Sequence, residues 1–310
     1  MRIVFFGTPD IALPSLYLAN QRHTVTAVVC QPDKPVGRKK TPQSPPVKVW
    51  AEENNIPVHQ PTKLGDGAFD EWLRNEKPDA CVLVAYGRIL RQASLDIPEH
   101  GFINVHPSLL PKHRGPSPIH TAVLEGDTET GVTIMKLDSG TDTGDIMLQQ
   151  TMALPPNATT EEMAAELAAL GAEMAMEVLG QIEGGTAVYV QQDDSLATHT
   201  RMFVKFDGAI NWNLTAEDIH NQIRASLPWP VAYCKYNDQP MRIHKSTIAK
   251  EIVEAMPGTI IRIEEDSLVV ACGKYAVSIE ALQAAGKKVN SVADYQRGNP
   301  FQVGDTFGDG

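Results

Sequence analysis

From residue 1 to about residue 150 the chain alternates short, continuous apolar runs with segments of helical character. Runs 1–6, 25–30, 80–85 and 102–105 are rich in Val, Ile, Phe and Ala and show no polar–apolar alternation. A strand of that kind has both faces covered, as in a buried parallel sheet. Segments 11–19, 47–54, 67–75 and 119–124 read as helices, the first with Pro14 in its opening turn, where a missing N–H costs nothing. Parallel strands need crossover connections, so this order predicts a doubly wound, mostly parallel, Rossmann-like α/β sheet. Such a sheet binds ligands at the carboxyl ends of its strands.

Segments 132–137 and 146–152 read as further strands. A helix opens around Thr159 and Thr160, with Glu161 and Glu162 in its first turn, and continues through an Ala-, Leu-, Met- and Glu-rich body until Gly184-Gly185 stops it. The pattern then changes. A polar, aperiodic stretch is followed by a short helix, 216–224, and by short β-type segments at 231–236, 241–248, 258–263, 267–271 and 276–281. That spacing predicts a small barrel or sandwich, with an OB-like β-barrel as the working expectation. The domain reading is 1–189 for the α/β domain, 190–204 for a linker and 205–310 for the barrel.

The 310 residues are 42% apolar and 21% charged, ordinary for a globular protein. No run approaches the roughly 18 to 20 apolar residues of a membrane span. The apolar start is broken at Gly7-Thr8-Pro9, too early for a signal peptide, so a cytoplasmic monomer is expected. Cys30, Cys81, Cys234 and Cys272 are scattered with no CxxC pair, so they read as reduced core thiols and a thiolate zinc site is not expected. The net charge of −11 argues at first against nucleic acid, but it is uneven. Residues 1–200 hold 15 Lys and Arg against 25 Asp and Glu, whereas 201–310 hold 12 against 13. Between 33 and 48, Lys34, Arg38, Lys39, Lys40 and Lys48 face only Asp33. Phosphate binding needs such local positive charge, whatever the total.

Gly7 follows the first strand where dinucleotide folds carry a phosphate loop, but Pro9 and Asp10 replace the later glycines of that fingerprint, and a carboxylate repels pyrophosphate. The motif reads either as a tight turn alone or as a tight turn bordering a substrate cleft. In Phe102-Ile103-Asn104-Val105-His106, alternation puts Asn104 and His106 on one side of a strand that runs out into a loop. That loop, 107–118, carries four prolines, which restrict its shape. A second polar loop, 137–145, carries Asp138, Asp142 and Asp145 between two strands. Each of those aspartates has turn chemistry as its plain explanation. A carboxylate from this loop is also placed to orient and charge-stabilise His106.

Taken together, Asn104-x-His106, Ser108-Leu109-Leu110-Pro111 and the downstream Asp142-Thr143-Gly144-Asp145 resemble the folate-dependent formyltransferases. Further matches narrow the resemblance to members that formylate methionyl initiator tRNA. They are 6–10, 31–38, Arg114-Gly115, Ile210-Asn211-Trp212, Pro228-Trp229-Pro230 and the closing 304–308 stretch, so the likeness spans essentially the whole chain. Ile11 stands where an aromatic is common, and Pro107, Pro116 and Ser117 where alanines are common.

The resemblance implies that Asn104, His106 and Asp142 are catalytic. It implies a 10-formyltetrahydrofolate site along Val84, Ala85, Tyr86, Gly87, Arg88, Ser108, Leu109, Leu110, Pro111 and Asp138, and no metal. It also implies that Arg38, Lys39 and Lys40 meet the acceptor end of the tRNA, with weaker contacts from Lys205, Arg242, Lys245, Lys287 and Lys288. One alternative is an enzyme of the same fold acting on a sugar-nucleotide amine, and another is a non-catalytic folate- or RNA-binding protein. The intact trio argues against the second. The basic 31–46 segment and the Trp212 and 228–230 matches favour tRNA over the first.

Overall fold

The apolar runs form the strands expected of them. In chain order the first half runs β1 (Arg2–Gly7), α1 (Leu13–Arg22), β2 (Thr24–Val29), the short strands β3 (Lys34–Val36) and β4 (Thr41–Gln43), α2 (Pro46–Glu53), β5 (Val58–His59), α3 (Ala68–Glu76), β6 (Ala80–Val84), α4 (Gln92–Leu95), β7 (Phe102–His106), α5 (Pro118–Glu125), β8 (Glu129–Lys136), β9 (Ile146–Ala153) and α6 (Thr160–Glu183). The second half runs α7 (Ala216–Ala225), β10 (Ala232–Tyr236), β11 (Gln239–Ala249), β12 (Ile260–Ile263), β13 (Leu268–Ala271), β14 (Ala276–Ala284), β15 (Asn290–Ser291), α8 (Val292–Gln296) and β16 (Phe307–Gly308). The structure, a computed structural model, describes residues 1–36, 41–65, 67–251 and 254–310. It divides into two compact units: Met1–Pro118 with Thr130–Met152 and Ala164–Thr200, and Ile119–Glu129 with Ala153–Met163 and Arg201–Gly310.

The first unit holds a sheet of order β5-β2-β1-β6-β7-β8-β9. Strands β5, β2, β1, β6 and β7 pair in parallel. The β7–β8 pairing is antiparallel, with Asn104 opposite Met135 and His106 opposite Thr133. The chain leaves β1 toward β2 on one side and returns to β6 on the other, so strand order reverses at β1. A doubly wound sheet opens its ligand crevice at such a point. Gly7 closes β1 there. A Cβ on Gly7 would lie 2.8 Å from the Cβ of Ala12 and 3.2 Å from the Val84 carbonyl oxygen, so only glycine lets the next segment approach this closely. Gly171 does the same for α6, where a Cβ would meet the Val105 side chain at 2.5 Å.

One face of the sheet is held by an aromatic cluster. Phe6 is fully buried and meets Tyr86 edge-on at 5.4 Å, Phe69 edge-on at 6.2 Å and Phe102 at 5.0 Å. Edge-on aromatic contacts add to the apolar burial.

The segment 31–46 is not the plain long loop its sequence suggests. β3 and β4 pair antiparallel, Lys34 opposite Gln43 and Val36 opposite Thr41. The proposed linker also differs from expectation. It lacks regular elements over most of its length, as its composition predicts, but its backbone is fastened. Val190 exchanges two hydrogen bonds with Ile146, and the Arg114 backbone pairs with Thr198 and Thr200. Its loop character comes from partners distant in sequence, not from freedom.

In the second unit the antiparallel order is β12-β13-β14-β11-β10-β16. The sheet curls until its two ends meet: the Ile260 N–H donates to the Asp305 carbonyl and the Phe307 N–H to the Gly258 carbonyl, both at 2.8 Å. Its core holds Ile210, Trp212, Ile243, Val277 and Phe307. Trp212 and Phe307 stack with centroids 5.8 Å apart. The Trp212 match is therefore a core residue. α7 covers part of this core with Ile219 and Ile223, and starts on a capping box in which Thr215 and Asp218 satisfy one another's backbone N–H groups.

Truncating Phe6 to Ala removes the centre of the aromatic cluster and leaves a cavity the rigid sheet cannot close. The expected loss of stability is about 3–5 kcal/mol, read as a fall in the urea midpoint at unchanged slope.

Candidate active site

β7 lies within the sheet between β6 and β8, and all five of its residues are buried. Two of them, Asn104 and His106, are polar. Their two-residue spacing puts both side chains on the same face at the carboxyl end of the strand. The Asn104 carboxamide makes no hydrogen bond to any described residue, so its N–H₂ and carbonyl are both available to a ligand. His106 is engaged: its Nε2 lies 3.0 Å from the His113 carbonyl oxygen. A carbonyl only accepts, so Nε2 carries the proton and Nδ1 is the nitrogen left to exchange one.

Asp142 comes from the loop after β8. Its Oδ1 lies 3.7 Å from His106 Nδ1. Its Oδ2 accepts the Gly115 N–H at 2.7 Å. Its backbone is left-handed, φ 53°, a conformation that Asp tolerates better than most residues. Burial disfavours the imidazolium and holds His106 below the ordinary histidine range, with His113 adding to that effect. The Asp142 carboxylate and the His113 carbonyl oppose the shift. His106 is thus a neutral base whose protonated form is stabilised at both nitrogens.

The Ser-Leu-Leu-Pro loop is shaped by residues that sequence reasoning missed. Thr133, fully buried on β8, donates its hydroxyl to the Ser108 carbonyl at 2.7 Å and accepts the Leu110 N–H at 3.1 Å. Gln149 on β9 donates to the Leu110 carbonyl at 2.9 Å and to Thr133 Oγ1 at 2.8 Å. The Ser108 hydroxyl turns back to the Lys112 carbonyl, and the Leu110–Pro111 peptide is cis. A threonine inside the apolar run 132–135 was the one available signal, since a buried hydroxyl requires a partner.

The other predicted site residues fall as follows. Val84 and Tyr86 are buried, while Ala85 and Gly87 have left-handed backbones, φ 48° and 75°. This turn is tied to the residues that follow β1 and β2: Thr8 Oγ1 donates to the Tyr86 carbonyl at 3.2 Å, and Gln31 Nε2 donates to it at 2.9 Å. The Arg88 guanidinium donates to the Pro61 and Thr62 carbonyls, so that side chain is a strut. Asp138 is exposed and holds its own turn through the Gly140 N–H and the Thr143 hydroxyl. Arg38, Lys39 and Lys40 lie outside the described residues. Lys48 is bonded to Asp33 at 3.0 Å, so it adds no free charge to the 33–48 segment. Lys245 is likewise paired with Glu280, and Arg242 reaches Gln283.

Residues 1–179 match the family model described as formyl transferase, and 203–300 match the model of the formyl transferase C-terminal domain. The methionyl-tRNA formyltransferase of Acetivibrio thermocellus is 44% identical over 310 residues, covering 99% of this chain and all of that one. That of Alkaliphilus metalliredigens is 41% identical, covering all of this chain and 99% of that one. The chain belongs to the methionyl-tRNA formyltransferase family. Solved structures share the fold at lower identity. An N-formyltransferase from Helicobacter canadensis, in complex with folinic acid and dTDP-3-aminofucose, has a TM-score of 0.66 at 21% identity, covering 90% of this chain and 98% of that one. HypX from Aquifex aeolicus, in complex with tetrahydrofolic acid, has a TM-score of 0.66 at 16% identity, covering 99% of this chain and 50% of that one. The sugar-amine reading gains only the fold from such likenesses, whereas the tRNA reading has the family.

The electrostatics of the His106–Asp142 pair give a signed prediction. In an NMR titration of ring protons, His106 should titrate below 6.5. Asp142→Asn removes an influence that raises the value, so the titration should move lower still. An unchanged or higher midpoint in Asp142→Asn contradicts the pairing.

Proposed function

We propose that this chain transfers the formyl group of 10-formyltetrahydrofolate to the α-amino group of methionyl initiator tRNA, in the cytoplasm and as a monomer. The observation that carries the reading is the approach of Asp142 Oδ1 to within 3.7 Å of His106 Nδ1, next to Asn104, in a chain 44% identical to a named methionyl-tRNA formyltransferase. Two solved structures of this fold are complexes with folate derivatives, folinic acid in one and tetrahydrofolic acid in the other, which supports folate as the carrier. No described helix is long and apolar enough to cross a membrane.

Formyl transfer is acyl transfer. The neutral amine attacks the formyl carbon and a C–N bond forms. The carbonyl oxygen takes the negative charge, and the bond to the carrier nitrogen then breaks as that nitrogen gains a proton. In this reading Asn104 donates its N–H₂ to the growing oxyanion. A donor fixed where charge develops is commonly worth about 3–4 kcal/mol in the transition state. His106 adds a second donor at Nδ1 once it is protonated, since Nε2 is already held by the His113 carbonyl. Asp142 stabilises that imidazolium and, directly or through water, takes the extra proton from the amine nitrogen once it has attacked, and that proton is the one the leaving carrier nitrogen gains.

The folate ring would meet backbone groups of 84–88 and 108–111, because the Arg88 and Ser108 side chains are already bonded inward. Asp138 would border that site. Arg38, Lys39 and Lys40 would meet the acceptor end, where unpaired bases are most accessible. The paired strands β3 and β4 flank them in sequence and support that role.

Formyl-folate offered with charged initiator tRNA, uncharged tRNA and an amino-sugar nucleotide should formylate only the first. Label on the sugar nucleotide would overturn the proposal. Asn104→Ala should lower kcat about a hundredfold with much smaller changes in KM, and a loss confined to KM contradicts its role. Arg38→Ala should raise KM for tRNA and leave folate affinity unchanged, so equal loss of both removes that assignment.

A further inference from the structure

Gln192 sits in the segment whose composition reads as a linker, and it is buried. Its carboxamide is saturated. Oε1 accepts from Arg114 Nε at 3.1 Å and from Arg114 Nη2 at 2.8 Å. Nε2 donates to the Asp142 carbonyl at 2.9 Å and to the Gly144 carbonyl at 2.7 Å. A flipped amide would set N–H against the guanidinium and oxygen against two carbonyls, so the orientation is fixed by its partners. Arg114 is itself buried, and its Nη2 also meets Asp194 at 2.7 Å. The residue after it, Gly115, donates its N–H to Asp142 Oδ2.

Asp142 is therefore gripped at two points. Its carbonyl is held by Gln192 and one carboxylate oxygen by Gly115, and the Gln192–Arg114 bonds tie those two grips together. The oxygen left over, Oδ1, is the one facing His106. A left-handed non-glycine backbone persists where its surroundings over-determine it, and the bond to the Asp142 carbonyl supplies that constraint.

We propose that Gln192 is a positioning residue for the Asp142 carboxylate: it locks the 142–144 backbone to Arg114, so that Oδ1 faces His106. The proposal rests on the reading of Asp142 as the proton-transfer group. It acts through geometry, since reacting groups displaced by about 1 Å can lose on the order of a hundredfold in rate. It also gives the segment around 192 a function that its composition conceals.

Gln192→Glu separates positioning from simple fastening. A glutamate keeps, and strengthens, the bonds to Arg114, but it turns an acceptor oxygen toward the Asp142 and Gly144 carbonyls. Full-length enzyme assayed with formyl-folate and charged initiator tRNA should lose at least tenfold in kcat. KM for both substrates should stay within about twofold, with the melting temperature close to the parent's. Gln192→Ala, which buries no charge, should show the same split and serves if the glutamate variant does not fold. In an Asp142→Asn background either change should cost less than about twofold more, because the group it positions is already gone. Wild-type kcat in both Gln192 variants, or a loss that multiplies fully with that of Asp142→Asn, overturns the proposal while leaving Asp142 in place. An Asp142→Asn enzyme as active as the parent removes the reading beneath it as well.

Discussion

A strand buried on both faces that ends in an amide and an imidazole is an expensive thing to build. Taking such groups out of water without partners costs several kcal/mol, of the order found for amide or hydroxyl burial. β7 does this with Asn104 and His106, and the surrounding loops follow from how each cost is met. His106 is compensated at Nε2 by the His113 carbonyl at 3.0 Å, and Asp142, 3.7 Å from Nδ1, stabilises the ring only once that nitrogen is protonated. The Asn104 amide has no partner among the described residues and keeps a small contact with solvent instead. The proline loop must turn back far enough to bring the His113 carbonyl to the ring, and Thr133 and Gln149 hold that turn in place. The loop after β8 must bring in a carboxylate, and Gln192 and Gly115 hold it there. Polar burial at one strand end thus organises three separate segments.

What the sequence disclosed divides along the range of the interactions. Apart from the short β5 and α4, which carry no run long enough to read, the main first-unit strands and helices were legible because their signals are local: continuous β-branched runs, Pro14 in an opening turn, glycines after the long helix. Their observed bounds differ from the expected ones mainly by a few residues at each end, where helices and strands fray. The curled antiparallel sheet was legible from strand spacing. The pairing of β3 with β4 was not, because both strands contain a proline and neither alternates, so nothing in the run announces pairing.

The site was legible only in part, for the same reason. Asn104 and His106 are two residues apart on one strand, which fixes their common face from pattern alone. Asp142 could be nominated but not chosen over Asp138 or Asp145 without the resemblance, because all three sit in one turn-forming loop. The structure separates them by their bonds: Asp138 closes its own turn, while Asp142 reaches across to His106 and Gly115. Arg114 and Gln192 lie 78 positions apart and carry no periodic signal linking them. A polar aperiodic stretch looks the same whether it is slack or bonded along its length. Only the partners tell the two apart.

Charge shows the same limit of composition. A net of −11 suggests repulsion from any polyanion, yet at physiological ionic strength exposed charges are felt over only about 8 Å. The acidic surplus, concentrated in residues 1–200, slows distant approach but says little about groups in contact. At contact the relevant quantity is the number of cations not already spent. Lys48 is spent on Asp33, Lys245 on Glu280, Arg201 on Asp207 and Arg262 on Glu251 and Glu264. Lys205, Lys287 and Lys288 are exposed and make no ion pair with described residues. Counting bases in a segment therefore overstates its attraction for phosphate, and counting acids in the whole chain overstates its repulsion. For a chain of this family the balance is local, set by a few unpaired side chains within one screening length of the bound phosphates.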